Sequence, residues 1–122
     1  MQRALPGAPS VPDAVPETVI GYGFHPEASI DLDDIWEFIA ADDVDAANRV
    51  IEEIFDAVDI LVAFPHQGYR RPNLTSRPLR FKLLREYVIA YAPEKRPLWI
   101  VAVFHGRRSP RVIAAMLRGR EQ

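Results

Sequence analysis

Residues 79–108, LRFKLLREYVIAYAPEKRPLWIVAVFHGRR, decide the fold because they predict three consecutive β-strands. At the start of this stretch apolar residues alternate with Arg80 and Lys82 over residues 79–83. An alternation with period two is typical of a strand that buries one face and exposes the other. The first of the three strands is therefore expected here, with its basic side chains on one face.

Two further strands are predicted downstream. The second covers Tyr87–Tyr91, and residues 93–97 (PEKRP) then interrupt the pattern, because proline fixes φ and cannot donate to a strand ladder. Residues Leu98–His105 are apolar at nearly every position, which indicates a central strand buried on both faces. Short connections between successive strands favour an antiparallel meander.

Two helices are predicted before the meander. Pro26 is suited to the first helical position, and apolar residues at helical spacing continue the first helix to about Ala41. Asp42 and Asp43 are N-cap candidates for a second helix that Pro65 ends. The connection is short, so we expect an antiparallel helical hairpin that packs on the sheet. The predicted apolar face of the second helix consists of Ala47, Val50, Ile51, Ile54, Val58 and Leu61.

The two ends of the chain complete an α+β prediction. Residues 1–17 contain four prolines and predict a disordered tail, which leaves residues 18–122 as a single domain. Thr18–Phe24 is expected to be an N-terminal strand. Ser109 and Pro110 predict the start of a short C-terminal helix that includes residues 112–117.

Composition narrows the class of protein. The 122 residues include no cysteine, so a disulfide framework and a cysteine-based zinc site are excluded. No apolar run reaches the roughly 18 residues that a membrane span needs, and no apolar segment typical of a signal peptide follows Arg3. These features favour a cytoplasmic protein, and nothing in the sequence calls for a metal or another cofactor.

The charges are distributed unevenly along the chain. Residues 27–59 hold twelve acidic residues and one basic residue, whereas residues 66–122 hold thirteen basic and three acidic residues, although the formal net charge is only −2. Two interpretations remain open. The two halves attract each other within one fold, or the basic half meets an acidic protein or nucleic acid.

Several short motifs now resemble the RelE/ParE superfamily of toxins from type II toxin–antitoxin systems. Residues 26–35 match the pattern P-x-A-x-x-D-L-x-x-I that opens the first helix of that family, and residues 61–68 match its L-x-x-F-P-x-x-G. Residues 87–91 (YVIAY) and 103–108 (VFHGRR) resemble its last two strands. The resemblance implies a small toxin, associated with plasmid stabilisation, that a co-encoded antitoxin holds inactive.

The superfamily includes two activities, and the RelE-like one is cleavage of mRNA on the ribosome. Metal-free RNA cleavage needs a base, a cation that stabilises the phosphorane and an acid for the leaving group. The resemblance implies an arginine at the position occupied by Val88, which cannot supply that cation. A remaining catalytic set would be Lys82, Arg85, His105 and Arg107. For His105 we favour a strand-end residue that caps a turn, and for Lys82 a solvated strand face.

The ParE-like members block DNA gyrase, and the missing arginine favours this branch. Candidate target-binding residues are then Arg107, Arg108 and Arg111, with Arg118 and Arg120 in the same basic region. The alternatives are a ribosome-dependent mRNA interferase and a non-toxic module that retains only antitoxin binding.

The antitoxin is expected to be an acidic or amphipathic segment that folds on binding. Trp99, Val101 and Val103 are predicted to share the sheet face opposite the helical hairpin. That apolar face needs a cover, which the C-terminal helix or the antitoxin would supply. These three residues and Trp36 are therefore the candidate antitoxin-binding residues.

Overall fold

The computed structural model describes residues 21–121. The predicted tail (residues 1–17) and the first three residues of the predicted N-terminal strand lie outside this range. The described elements are β1 (Tyr22–Phe24), α1 (Pro26–Ala40), α2 (Val44–Ala63), β2 (Arg80–Leu84), β3 (Tyr87–Ala92), β4 (Leu98–His105) and α3 (Pro110–Arg118).

The strands form one four-stranded sheet in the order β1-β4-β3-β2. The predicted antiparallel meander is confirmed, because β2 pairs antiparallel with β3 and β3 with β4. β1 pairs with β4 in parallel, so the sheet as a whole is mixed. β4 thus lies between two strands, as its unbroken apolar sequence predicted. The prediction of an α+β fold with a helical hairpin and a C-terminal helix is also confirmed.

The helices begin where capping residues occur in the sequence. The Nδ1 atom of His25 accepts a hydrogen bond from the Glu27 amide at the start of α1. The Asp43 carboxylate accepts one from the Ala46 amide at the start of α2. All six residues predicted for the apolar face of α2 are buried. All of them except Ala47 belong, together with residues of α1, to the apolar cluster on the sheet face that bears Tyr91 and Ile100.

The opposite sheet face has its own cover. Ile113 and Leu117 of α3 pack against a second apolar cluster that includes Phe81, Val101 and Phe104. The C-terminal helix is therefore the cover that the sequence analysis required for this face. The loop before β2 fixes the far end of α3, because Arg77 donates a hydrogen bond of 2.8 Å to the Leu117 carbonyl.

A β-bulge interrupts β4 and changes which side chains face the helical hairpin. The pairing with β3 moves from Tyr91–Ile100 to Ala90–Ala102, which leaves Val101 as the extra residue. The period of two is therefore broken. Val101 lies in the cluster under α3, whereas Val103 lies in the cluster under the hairpin. The prediction that Val103 shares a face with Trp99 and Val101 was wrong for this reason.

The loop between α2 and β2 is attached to the sheet by a buried tyrosine. The Tyr91 hydroxyl donates a hydrogen bond of 2.7 Å to the Pro65 carbonyl and accepts one of 2.9 Å from the Gly68 amide. A Cβ atom at Gly68 would lie 2.7 Å from both the Phe81 carbonyl oxygen and the Tyr91 hydroxyl oxygen. The close approach of loop and strand thus requires glycine at this position.

None of the helices within residues 21–121 combines the length and the apolar character that a bilayer crossing demands.

Candidate functional site

The basic residues that follow β4 lie on a well-ordered turn. The Nδ1 atom of His105 accepts a hydrogen bond of 3.0 Å from the Arg107 amide, and the His105 carbonyl accepts one of 3.1 Å from the Arg108 amide. The Gly106 amide donates a bond of 2.7 Å to the Glu86 carbonyl in the β2–β3 turn. His105 therefore holds the position that the sequence analysis favoured, a strand-end histidine that caps a turn.

The helix that follows begins directly after this turn. The Ser109 hydroxyl accepts a hydrogen bond of 3.2 Å from the Val112 amide, and Pro110 is the first helical residue. The N-terminus of a helix carries a partial positive charge, which adds to the charge of nearby arginines. The start of α3 thus presents a concentrated positive potential at one end of the molecule.

The three arginines predicted to bind the target lie together on this surface. Arg107, Arg108 and Arg111 are exposed, and within residues 21–121 none of them is ion-paired with a carboxylate. Arg111 and Arg118 line a shallow groove along the outer side of α3. We call Arg107, Arg108 and Arg111 the basic end. Its guanidinium groups are free to contact an acidic or anionic macromolecule.

Arg120 does not belong to this surface, contrary to the sequence prediction. Its side chain is only 7% exposed. It donates hydrogen bonds of 2.6 and 2.9 Å to the two carboxylate oxygens of Asp31, and one of 3.1 Å to the Val101 carbonyl. The Asp31 hydrogen bonds are the main cause of the raised pKa of Arg120. Its role in the described chain is therefore structural.

Of the candidate catalytic residues of the mRNA interferase alternative, His105 and Arg107 are in contact on the turn after β4, whereas Lys82 lies on β2 and Arg85 in the β2–β3 turn. Strand pairing places Lys82 beside Ile89 of β3, and His105 beside Tyr87. β3 separates the two side chains, so two strand spacings, about 10 Å, lie between their backbones. The His105 ring also stands edge-on to Tyr87, with 5.5 Å between the ring centroids.

Arg85 is occupied by another contact. Its Nε and Nη2 atoms donate hydrogen bonds of 2.6 and 2.8 Å to the two carboxylate oxygens of Glu53 on α2. This contact lowers the pKa of Glu53 and raises the pKa of Arg85. Arg85 therefore attaches the β2–β3 turn to the helical hairpin.

Val88 occupies the position at which the resemblance to RNA-cleaving members implies an arginine. Its side chain is buried in the cluster under α3, on the face opposite Lys82 and Tyr87. The arginine implied by the resemblance is thus replaced by a core residue. Among residues 21–121 there is likewise no group of three His, Asp or Glu residues that would hold a metal ion.

The four candidate antitoxin-binding residues have different environments. Val101 and Val103 are buried, at 0% and 2% exposure. Trp36 and Trp99 are partly exposed. The Trp36 indole donates a hydrogen bond of 2.8 Å to the Asn48 side chain, whereas the Trp99 indole nitrogen is buried and has no hydrogen-bond partner among the described residues. Only the two tryptophans therefore keep surface that a partner can reach.

Sequence comparison gives two independent findings. The family described as the ParE toxin of the type II toxin–antitoxin system parDE matches residues 22–110. A protein of Sinorhizobium fredii named "Putative toxin Y4kP" is 37% identical over 89 residues, which span 67% of this chain and 84% of the relative. The family match includes the helical hairpin, the complete sheet and the turn that carries Arg107 and Arg108.

Proposed function

The chain belongs to the family of ParE toxins of type II toxin–antitoxin systems, and we propose that it inhibits growth by binding DNA gyrase. A cognate protein antitoxin follows from the family. The single observation that supports the proposal best is the basic end, where Arg107, Arg108 and Arg111 lie exposed on an ordered turn and helix start. Three exposed guanidinium groups on a hydrogen-bonded turn and helix start suit the recognition of an acidic protein surface or of DNA held by a protein.

The geometry of the candidate catalytic residues supports the same choice. A general base and a phosphorane-stabilising cation must act on the same phosphate, so their charged atoms must lie within a few ångströms of it. Arg85 is instead paired with Glu53, and β3 lies between Lys82 and His105. Inhibition by binding needs no such cluster.

The direct experiment is a supercoiling assay with purified gyrase and relaxed plasmid at increasing toxin concentration. The test variant replaces all three residues of the basic end by alanine. The matched control replaces Arg49, Arg70 and Lys95 by alanine. These residues are exposed elsewhere on the molecule, and their replacement removes the same positive charge. We expect the test variant to need more than about tenfold more protein for the same inhibition, equivalent to about 1.4 kcal/mol of binding free energy, and the control to match the wild type.

Three results would contradict the proposal. Unchanged supercoiling and cleavage at saturating toxin would exclude gyrase. New 5′ ends in transcripts after induction, detected by primer extension, would identify an mRNA interferase. Normal growth after induction without the antitoxin would identify a module that only binds the antitoxin.

A further inference from the structure

The positive surface after β4 extends beyond the basic end. Arg118, in the last turn of α3, is exposed as well. Arg111 and Arg118 line the same groove on the outer side of the helix. They are seven positions apart, which is two helical turns, so their Cα atoms lie about 10 Å apart on one side of α3. Exposed arginines therefore follow the whole path from the turn after β4 to the end of α3.

The carboxylates around this surface do not cancel its charge. Residues 106–120 include no acidic residue. Glu86 is exposed in the turn whose carbonyl binds Gly106, and Glu121 is exposed after α3. Within residues 21–121 neither carboxylate is ion-paired with Arg118 or with the basic end. Four exposed arginines beside two carboxylates leave an excess of positive charge.

The acidic helical hairpin is separated from this surface by the sheet. α2 packs on one face of the sheet and α3 on the other. A layer of helix is about 10–12 Å thick, which exceeds the Debye length of about 8 Å at physiological ionic strength. Two carboxylates of α1, Glu27 and Asp31, are paired with Arg120, at 3.6 and 2.6 Å. A chain with a formal net charge of −2 thus presents a locally positive surface.

The side chains between the arginines favour a phosphate backbone over a protein surface. Within residues 106–121, Val112 is the only large apolar side chain that is exposed, at 49%. The centres of protein–protein interfaces are instead rich in aromatic and large apolar side chains. The same segment has no aromatic residue on which an unpaired base could stack. Arginine binds phosphate through two parallel hydrogen bonds, so a double helix is the partner that suits this surface.

We propose that the basic end and Arg118 bind the sugar–phosphate backbone of double-stranded DNA without reading its sequence. The separation of about 10 Å between Arg111 and Arg118 is comparable to the groove widths of B-DNA, about 6 and 12 Å, across which phosphates face each other. This inference rests on the proposed function, because gyrase acts on double-stranded DNA. It assigns the DNA, and not the gyrase protein, to the basic end.

The salt dependence of binding tests this contact, because it reports how many phosphates are neutralised. The 122-residue toxin is titrated into a fluorescein-labelled duplex of mixed sequence, about 20 base pairs long, and fluorescence anisotropy gives the association constant. The titration is repeated between about 50 and 200 mM NaCl. Four phosphate contacts predict a slope of about −3.6 for the logarithm of the association constant against that of the salt concentration, or about 150-fold weaker binding across this range.

Paired substitutions locate the contact on the molecule. Replacing Arg111 and Arg118 by alanine should reduce the slope to about −1.8 and weaken binding at about 50 mM NaCl by at least about tenfold. The matched control replaces Arg49 and Arg70 by alanine, which removes the same charge from exposed positions elsewhere. It should match the wild type in slope and lie within about threefold of it in affinity. Arg111→Lys with Arg118→Lys keeps both charges and should keep a slope near −3.6.

The outcomes separate this inference from the proposed function. Undetectable duplex binding at about 50 mM NaCl, with gyrase inhibition that still requires the basic end, identifies an acidic protein surface as the partner and overturns the inference alone. An alanine pair with an unchanged slope places the DNA elsewhere on the chain and also overturns it. Tighter binding of a single strand or of an RNA duplex of the same sequence does so as well. Duplex binding with the expected slopes but unaltered gyrase activity supports the DNA contact and overturns the proposed function.

Discussion

Asp31 and Arg120, 89 residues apart in the chain, form a two-fold hydrogen-bonded ion pair that closes the edge of β4 beyond the end of β1. β1 pairs with β4 only as far as Ile100. Past that point the Asp31 carboxylate accepts a hydrogen bond of 3.0 Å from the Val103 amide, and Arg120 donates to the Val101 carbonyl. The pair therefore satisfies backbone groups of β4 that lie beyond the end of β1.

The first prediction concerns this pair. Asp31→Ala removes both carboxylate hydrogen bonds of a guanidinium that is 7% exposed, leaving Glu27 at 3.6 Å from its Nε atom, and removes the acceptor of the Val103 amide. We expect the free energy of unfolding to fall by about 3 kcal/mol, the lower part of the range for breaking a buried pair. Urea denaturation followed by circular dichroism measures it.

A matched control is available one turn along α1. Asp34→Ala removes an exposed carboxylate of the same helix and should change the free energy of unfolding by less than about 0.5 kcal/mol. An Asp31→Ala variant as stable as Asp34→Ala would show that the ion pair does not hold the β4 edge.

The second prediction concerns Tyr91. Tyr91→Phe leaves the Pro65 carbonyl and the Gly68 amide without their shared partner, and we expect a loss of about 1–3 kcal/mol of unfolding free energy. Thermal and urea unfolding at pH 7 measure the loss. Tyr87→Phe is the comparison, because the Tyr87 hydroxyl makes no hydrogen bond within residues 21–121. Equal stabilities of the two variants would contradict the role given to the Tyr91 hydroxyl.

The third prediction follows from the pKa of the same side chain. Burial raises the pKa of Tyr91 above its usual value of about 10, although the hydrogen bond from Gly68 opposes this. A pKa raised in the folded state means that the stabilisation is present below about pH 10 and is lost as pH rises through the folded-state value. The difference in unfolding free energy between the wild type and Tyr91→Phe should therefore shrink from pH 9 to pH 11. A difference in unfolding free energy that stays constant from pH 9 to pH 11 would contradict a raised pKa of Tyr91 in the folded state.

Local patterns in the sequence explain why most of the fold could be predicted. The apolar face of α2, the cap at Asp43 and the Ser109–Pro110 start of α3 depend on residues within a few positions of one another. The same holds for His105, whose partner Arg107 is two residues away. The meander follows from short connections, which need no long-range information.

The features that the sequence did not reveal depend on distant residues or on a single irregularity. No local pattern links Asp31 to Arg120 or Glu53 to Arg85, so both pairs were missed and Arg120 was wrongly placed on the surface. Because Val101 is an extra residue in β4, the Val103 side chain lies on the sheet face under the helical hairpin and not on the face under α3. The sequence predicted the candidate site only as a set of exposed arginines. The geometry of the turn that carries them depends on the hydrogen bond from the Gly106 amide to the Glu86 carbonyl, which lies twenty residues away.

The fourth prediction concerns the tight β2–β3 turn. Arg85 has φ of 55°, in the left-handed region that favours glycine, and its contact with Glu53 compensates for this conformation. Arg85→Gly relieves the backbone and loses the contact, whereas Arg85→Ala loses the contact and keeps the strained φ. We expect Arg85→Gly to melt near the wild-type temperature and Arg85→Ala clearly below it, by differential scanning calorimetry. Equal melting temperatures of the two variants, both well below that of the wild type, would instead show that the ion pair with Glu53 dominates.

The last prediction separates binding from catalysis at His105. Asparagine can accept the hydrogen bond from an amide two residues later, so His105→Asn keeps the cap on Arg107 and removes the imidazole. His105→Ala removes both. If the basic end acts by binding, His105→Asn should inhibit gyrase and growth within about threefold of the wild type. His105→Ala should be weaker, because the Arg107 amide loses its side-chain acceptor, although the backbone bond from the Arg108 amide to the carbonyl of residue 105 remains. A catalytic imidazole would instead make both variants fail alike, by about 10²–10⁴-fold in transcript cleavage measured by primer extension. Equal, severe loss in the two variants would therefore reject binding as the mechanism.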